Sequence, residues 1–166
     1  VLTDIEIGTG NSSTIRLDES LSFTDSLSLK SGHFNTNGKS VLGKKFVLIG
    51  NNSRTLTLGN SEILLNDGIW NVADPSNLTL SPGTSEIILK SHGDTVSFTG
   101  GDLTYYDLRF QTDSVMTSSM TGSNSFNKLT VDPGNTLTLE SGSTQTALQI
   151  AASGNCVKDL TIQSDT

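Results

Sequence analysis

A phrase with one fixed order, a short alternating strand, a glycine turn and a second strand, recurs along this chain. It stands once as Leu56-Thr57-Leu58-Gly59-Asn60-Ser61-Glu62-Ile63-Leu64-Leu65. It stands again as Leu78-Thr79-Leu80-Ser81-Pro82-Gly83-Thr84-Ser85-Glu86-Ile87-Ile88-Leu89, with two extra residues at the turn of the second copy. A unit recurring at about 22 residues has the size of one coil of a solenoid and is too small to carry a core of its own. Each coil must then bury its apolar side chains against the coils above and below.

Composition agrees with that economy. Hydrophobic residues make up 33% of the 166 residues and aromatic ones 5%, thin for a compact globule. Such a chain could stay disordered, but its apolar residues fall in short alternating runs separated by Gly, Asn and Asp, which argues for order. The net charge of −7 argues against a nucleic-acid partner and against an anionic membrane surface. No apolar run approaches the roughly 20 residues that span a bilayer, so membrane insertion is not expected. Val1-Leu2-Thr3-Asp4 lacks a signal-like pattern, and the chain reads as an excerpt of something longer. The single cysteine, Cys156, excludes an intramolecular disulfide; in Asn155-Cys156-Val157 it reads as a partly buried small hydrophobe.

The first segments, Ile5-Glu6-Ile7-Gly8, Thr14-Ile15-Arg16-Leu17 and Leu21-Ser22-Phe23, alternate at period two as half-buried strands do. They lack the repeated phrase, so residues 1–26 are assigned to an atypical capping coil and residues 27–166 to the repeats of one continuous domain. Lys44-Lys45-Phe46-Val47-Leu48-Ile49 reads as a buried strand. Leu129-Thr130-Val131-Asp132-Pro133-Gly134 places Pro-Gly at the same offset from its strand as Leu78 to Gly83 does. Proline followed by glycine suits a type II turn, and the two Pro-Gly pairs are read as one corner that fixes the register. Asn127-Lys128-Leu129-Thr130-Val131 and Lys158-Asp159-Leu160-Thr161-Ile162 both echo Tyr106-Asp107-Leu108-Arg109-Phe110. No window carries a 3.6-residue pattern, so helix is not expected. The fold class is all-β: a parallel β-helix with coils of about 20–25 residues, right-handed because parallel crossovers are. A sandwich of antiparallel hairpins is the rival architecture.

Arg54-Thr55-Leu56-Thr57-Leu58-Gly59, the Trp70-Asn71 step, Leu78 to Ser85 and above all Phe98-Thr99-Gly100-Gly101-Asp102-Leu103-Thr104-Tyr105-Tyr106-Asp107-Leu108-Arg109-Phe110 resemble the coil repeats of very large adhesin-like proteins of gliding and related bacteria. The resemblance implies export to the outer cell surface, a structural and adhesive role without catalysis or cofactor, and surface glycans or other surface proteins as partners. It also implies a parent chain with many more copies of the phrase. The runner-up is a β-helical module that binds or cleaves carbohydrate.

Candidate chemistry is sparse. If Tyr106, Leu108 and Phe110 point inward, alternation turns Tyr105, Asp107 and Arg109 outward, and the next coil extends that strip with Lys128 and Thr130. An aromatic plate beside a carboxylate and a guanidinium suits a sugar; a solvated face with one weak ion pair accounts for the same residues. Asp94, Asp102, Asp107 and Asp113 invite comparison with polysaccharide-cleaving β-helices, where paired acids converge, but they fall mostly at turns. No calcium-loop spacing is present, and His33 and His92 stand isolated. The threonine pairs Thr55/Thr57 and Thr136/Thr138 suggest an ice-matching face, which Leu78-Thr79-Leu80 and Leu129-Thr130-Val131 carry only in part. Trp70 reads as a core or corner plug sooner than as an exposed ligand plate.

Overall fold

The computed structural model describes residues 2–8, 13–91 and 95–166, the side chain of Asp67 excepted. Fifteen strands and no helix occur among them. They are β1 (Leu2–Gly8), β2 (Thr14–Arg16), β3 (Leu21–Asn35), β4 (Val41–Leu48), β5 (Arg54–Thr57), β6 (Glu62–Asn71), β7 (Leu78–Ser81) and β8 (Glu86–Ser91). There follow β9 (Thr95–Thr99), β10 (Asp107–Thr112), β11 (Met116–Thr121), β12 (Ser125–Val131), β13 (Asn135–Leu139), β14 (Thr146–Ala152) and β15 (Thr161–Ser164). Every pairing between them is parallel, stacking the chain as a β-solenoid of about seven turns. The expected fold class therefore stands, and the antiparallel sandwich does not.

The pairings sort the strands into three ladders. The first runs through the starts of β3, β4 and β6 and then β8, β10, β12 and β14. The second runs from β1 through later parts of β3, β4 and β6 to β9, β11, β13 and β15. The third joins β2, the end of β3, β5 and β7. Beyond β7 this side of each coil is made of turns, as at Gly100 to Leu103 and Gly122 to Asn124. β3 passes unbroken through residues 26 and 27 and pairs with β1 and β2 beneath it, so the first described residues already form a stacked coil.

Inward side chains line up coil upon coil. Leu27, Phe46, Trp70, Phe98 and Met120 occupy one column, and Ile63, Ile87, Leu108 and Leu129 another. In the first, Trp70 is fully buried and stacks on Phe46 with ring centroids 4.8 Å apart. Its core placement agrees with the sequence reading. The repeated phrase is also real, with a different alignment. Leu56 pairs with Leu80 and Glu62 with Glu86, a uniform offset of 24, so the turn contains no extra residues, and Leu78 and Thr79 open β7 opposite Arg54 and Thr55. At that turn Gly83 stacks over Gly59. A Cβ on Gly83 would lie 2.1 Å from the Gly59 carbonyl oxygen, and its φ of +60° already excludes most side chains.

The Pro-Gly register needs correction. Pro82-Gly83 leads from the third ladder to the first, whereas Pro133-Gly134 leads from β12 in the first ladder to β13 in the second. They are different corners and different turns. The Ser85 amide donates to the Pro82 carbonyl, which puts Gly83 at the turn's second position with φ +60°, as Ser61, Leu58 and Gly59 do one coil below. Pro133 and Gly134 are themselves the central pair, with Gly134 at +91° as a type II turn requires. The echo of Tyr106 to Phe110 in Asn127 to Val131 is spatial, Asp107 facing Lys128 and Phe110 facing Val131. That in Lys158 to Ile162 is not, because Ile162 pairs with Leu137 of β13. Cys156 is also corrected: it is exposed, because Asn155 Oδ1 accepts the Val157 and Lys158 amide hydrogens and closes a turn that leaves residues 156 and 157 in solvent.

Candidate functional site

The outward side of the first ladder carries most of the predicted strip. Asp107 and Arg109 alternate with buried Leu108 and Phe110 in β10, and Lys128 faces Asp107 from β12. Tyr105 is not part of it. Only 2% exposed, it points into the core, where its hydroxyl donates to the Gly100 carbonyl at 2.8 Å and accepts from Trp70 Nε1 at 3.2 Å. Burial pushes its phenol pKa up, so it stays a neutral hydroxyl. Alternation failed here because it holds only within a strand. β10 begins at Asp107, and the turn before it, with Gly101 and Asp102 both at positive φ, resets the phase. Tyr106, assigned inward, is the half-exposed ring instead.

Arg109 and Asp107 each have a defined partner. Arg109 binds Asp132 with two hydrogen bonds, Nε to Oδ1 at 3.1 Å and Nη2 to Oδ2 at 2.9 Å, and this contact raises the guanidinium pKa further. Asp107 Oδ1 accepts from Asn127 Nδ2 at 2.9 Å. Along the ladder Glu62, Glu86, Asp107 and Lys128 occupy one column on consecutive coils, about 4.8 Å apart. Glu86, in the middle of three carboxylates, has its pKa raised, first by burial and then by its acidic neighbours against the opposing pull of Arg109.

Because the folded state holds that proton to higher pH than the unfolded chain, the stability it contributes is present below the ordinary glutamate value of 4.5 and is lost as pH rises through the folded value. Glu86→Gln should therefore raise the unfolding midpoint at pH 7. The gap between variant and parent should close as the pH falls below 4.5, as thermal melts across pH will measure.

Beside the strip, at the corner between the third side and the first ladder, lies an open groove of about 500 Å3. Four successive coils contribute to it, including Pro82, Thr104, Tyr106, Asn127 and Leu148. It therefore runs along the solenoid axis. Its walls are mainly apolar, with hydroxyl and amide groups at the rim. Asn127 joins groove and strip, since it lines the one and holds Asp107 of the other. The sequence hid this site because its members are about 21 residues apart and only the stacking aligns them.

The remaining carboxylates do not converge. Asp102 accepts from the Ser123 amide at a corner, and Asp113 pairs with Lys90 at 2.9 Å beyond the far end of β10 from Asp107. Asp94 and His92 lie outside the described residues. His33 Nε2 hydrogen-bonds Thr57 Oγ1 at 3.0 Å in the third ladder. Among the described residues no three His, Cys, Asp or Glu side chains are placed to hold a metal ion.

The threonine pairs belong to different ladders: Thr55 and Thr57 face Thr79 and Ser81 in the third, whereas Thr136 and Thr138 lie in the second and Thr130 in the first. Counting them coil by coil in sequence therefore mixes faces. In the second ladder Thr95, Thr117, Thr136 and Thr161 form one outward column. Ser97, Ser119, Thr138 and Gln163 form the next, flanked by Thr99 paired with Thr121.

Compared with protein-family models, with curated proteins and with solved structures, the chain has no significant match.

Proposed function

We propose that this chain is a structural and adhesive rod segment of a bacterial protein displayed outside the cell, and that it meets its partners through the groove and the adjoining strip. The observation that carries the reading is the stack itself. The columns of Trp70 and of Ile87 stay apolar from coil to coil while the outward column Glu62, Glu86, Asp107, Lys128 changes along the first ladder, so length is built by repetition and the surface is left to specify contacts. The adhesin-like resemblance of residues Arg54 to Phe110 supports the setting. The groove suits an extended sugar chain: the Tyr106 ring and the Pro82 and Leu148 side chains offer an apolar wall to sugar C–H faces, and Thr104 and Asn127 offer hydrogen bonds at the rim.

Tyr106→Ala combined with Lys128→Ala removes the ring and the cation from this surface without touching an inward column. On a glycan panel the parent should bind at least one class of surface polysaccharide and the double variant should lose about tenfold or more in affinity, the worth of one stacking contact of about 1.4 kcal/mol. Equal binding by the two proteins removes the groove as the contact. The groove also favours the second reading, a carbohydrate-active β-helix. Release of reducing ends from a panel of polysaccharides would establish it; on the rod reading none is released.

A further inference from the structure

We propose that the outward face of the second ladder, from β9 to β15, binds ice. Charge is distributed unequally over the molecule. The first ladder's outward columns contain Glu62, Glu86, Lys90, Asp107, Arg109 and Lys128, and the early coils of the second contain Lys45, ion-paired to Asp25 at 3.3 Å. From β9 onward the two columns Thr95 to Thr161 and Ser97 to Gln163 hold only threonine, serine and one glutamine over four consecutive coils. The column beside them passes from Thr99 and Thr121 to Glu140 and Asp165, so charge enters only at that edge of the last two coils. The buried residues between them, Val96, Phe98, Met120 and Leu137, fix the orientation of each strand. The pairings β9 to β11, β11 to β13 and β13 to β15 run without a register shift.

Hydroxyl groups, most with a methyl beside them, are thus set out in two dimensions. They recur about every 4.8 Å between coils and about every 6.7 Å along a strand. A ligand engaging all of them must itself repeat in two dimensions at ångström spacings, which a crystal face does and a soluble molecule does not. An ionic mineral requires charged groups, and these columns have none. A crystalline polysaccharide is gripped flat by aromatic plates, and these columns contain no ring. Ice remains: an uncharged lattice of donors and acceptors, matched by hydroxyls that donate and accept. Charged side chains would hold hydration shells of their own and disturb it. The backbone is already held in the ladder, so little conformational entropy is lost on contact.

The test measures thermal hysteresis and inhibition of ice recrystallisation with the whole chain. It compares Thr117→Lys with Thr136→Lys in the same molecule, Thr161→Lys alone, and Thr79→Lys in the third ladder as control, each first shown by circular dichroism to be folded. The parent and the Thr79→Lys control should show both activities. The double variant should lose more than half of the hysteresis; Thr161→Lys, at an exposed strand where folding is least at risk, should lose a smaller part. No hysteresis and no recrystallisation inhibition by the parent overturns the proposal. So does full activity in the folded double variant, or adsorption to crystalline cellulose in place of ice.

Discussion

Replacing Trp70 by alanine should destabilise the solenoid by about 3–5 kcal/mol, the usual cost of emptying a fully buried aromatic site. Trp70 bridges two coil interfaces, stacked on Phe46 at 4.8 Å on one side and lying nearly parallel to Phe98 at 6.4 Å on the other. Its indole edge also meets the Tyr105 ring, with Nε1 donating to the Tyr105 hydroxyl. In a stacked protein, stability is a sum over coils and their nearest-neighbour interfaces, so one substitution here weakens two of them. Trp70→Phe keeps the stacking and loses the hydrogen bond, and its loss should be clearly smaller. Urea unfolding followed by circular dichroism distinguishes the pair. Equal losses for the two variants would mean that the hydrogen bond, and not the stack, matters.

Arg54→Met should cost about 3 kcal/mol through a different cause. Arg54 opens β5 with its side chain turned inward and no exposed surface. Its Nε donates to the Asn52 carbonyl at 3.3 Å, and Nη2 donates to those of Asp74 at 3.0 Å and Ser76 at 2.6 Å. Burial lowers its pKa, the Asp74 charge opposing. Two terms compete on removal. Relief of a desolvated cation, with Nη1 unpartnered, favours the variant. Loss of three hydrogen bonds from a charged donor, about 1.5–3 kcal/mol each, opposes it and is the larger. The damage should centre on residues 72–78, seen as faster hydrogen exchange at Leu78, whose amide donates to the Pro75 carbonyl. Lysine should rescue little, since one ammonium cannot span three separated carbonyls as the guanidinium fork does.

Arg54 also marks where sequence reading stops. Arg54-Thr55-Leu56-Thr57 shows a strand by its alternation, but nothing local tells that an arginine at its head is an inward residue roofed by a loop some 20 residues later. Tyr105 and Tyr106 show the same limit: period two assigns faces only inside a strand, and one residue of phase at the turn exchanged the ring that plugs the core with the ring that lines the groove. Asp107, Arg109 and Lys128 were placed correctly because they lie within strands in register, where alternation governs.

What the sequence by itself determined is the architecture. Short runs of period two, glycines at their ends and a strand-turn-strand phrase at coil length leave few solutions besides parallel stacking, because each run buries only one face and needs an identical neighbour to cover its edge. What only the tertiary structure decided is which residues share a corner or a face. Pro82-Gly83 and Pro133-Gly134 look like one corner and are two, since the same dipeptide stands at the first and second positions of one turn and at the second and third of the other. The hydroxyl lattice looks broken along the chain and is continuous in space, since adjacency there is set by cross-coil hydrogen bonds between residues 19 to 25 apart. The phrase beginning at Leu56 fixed the coil; the stacking of one coil on the next made the surface.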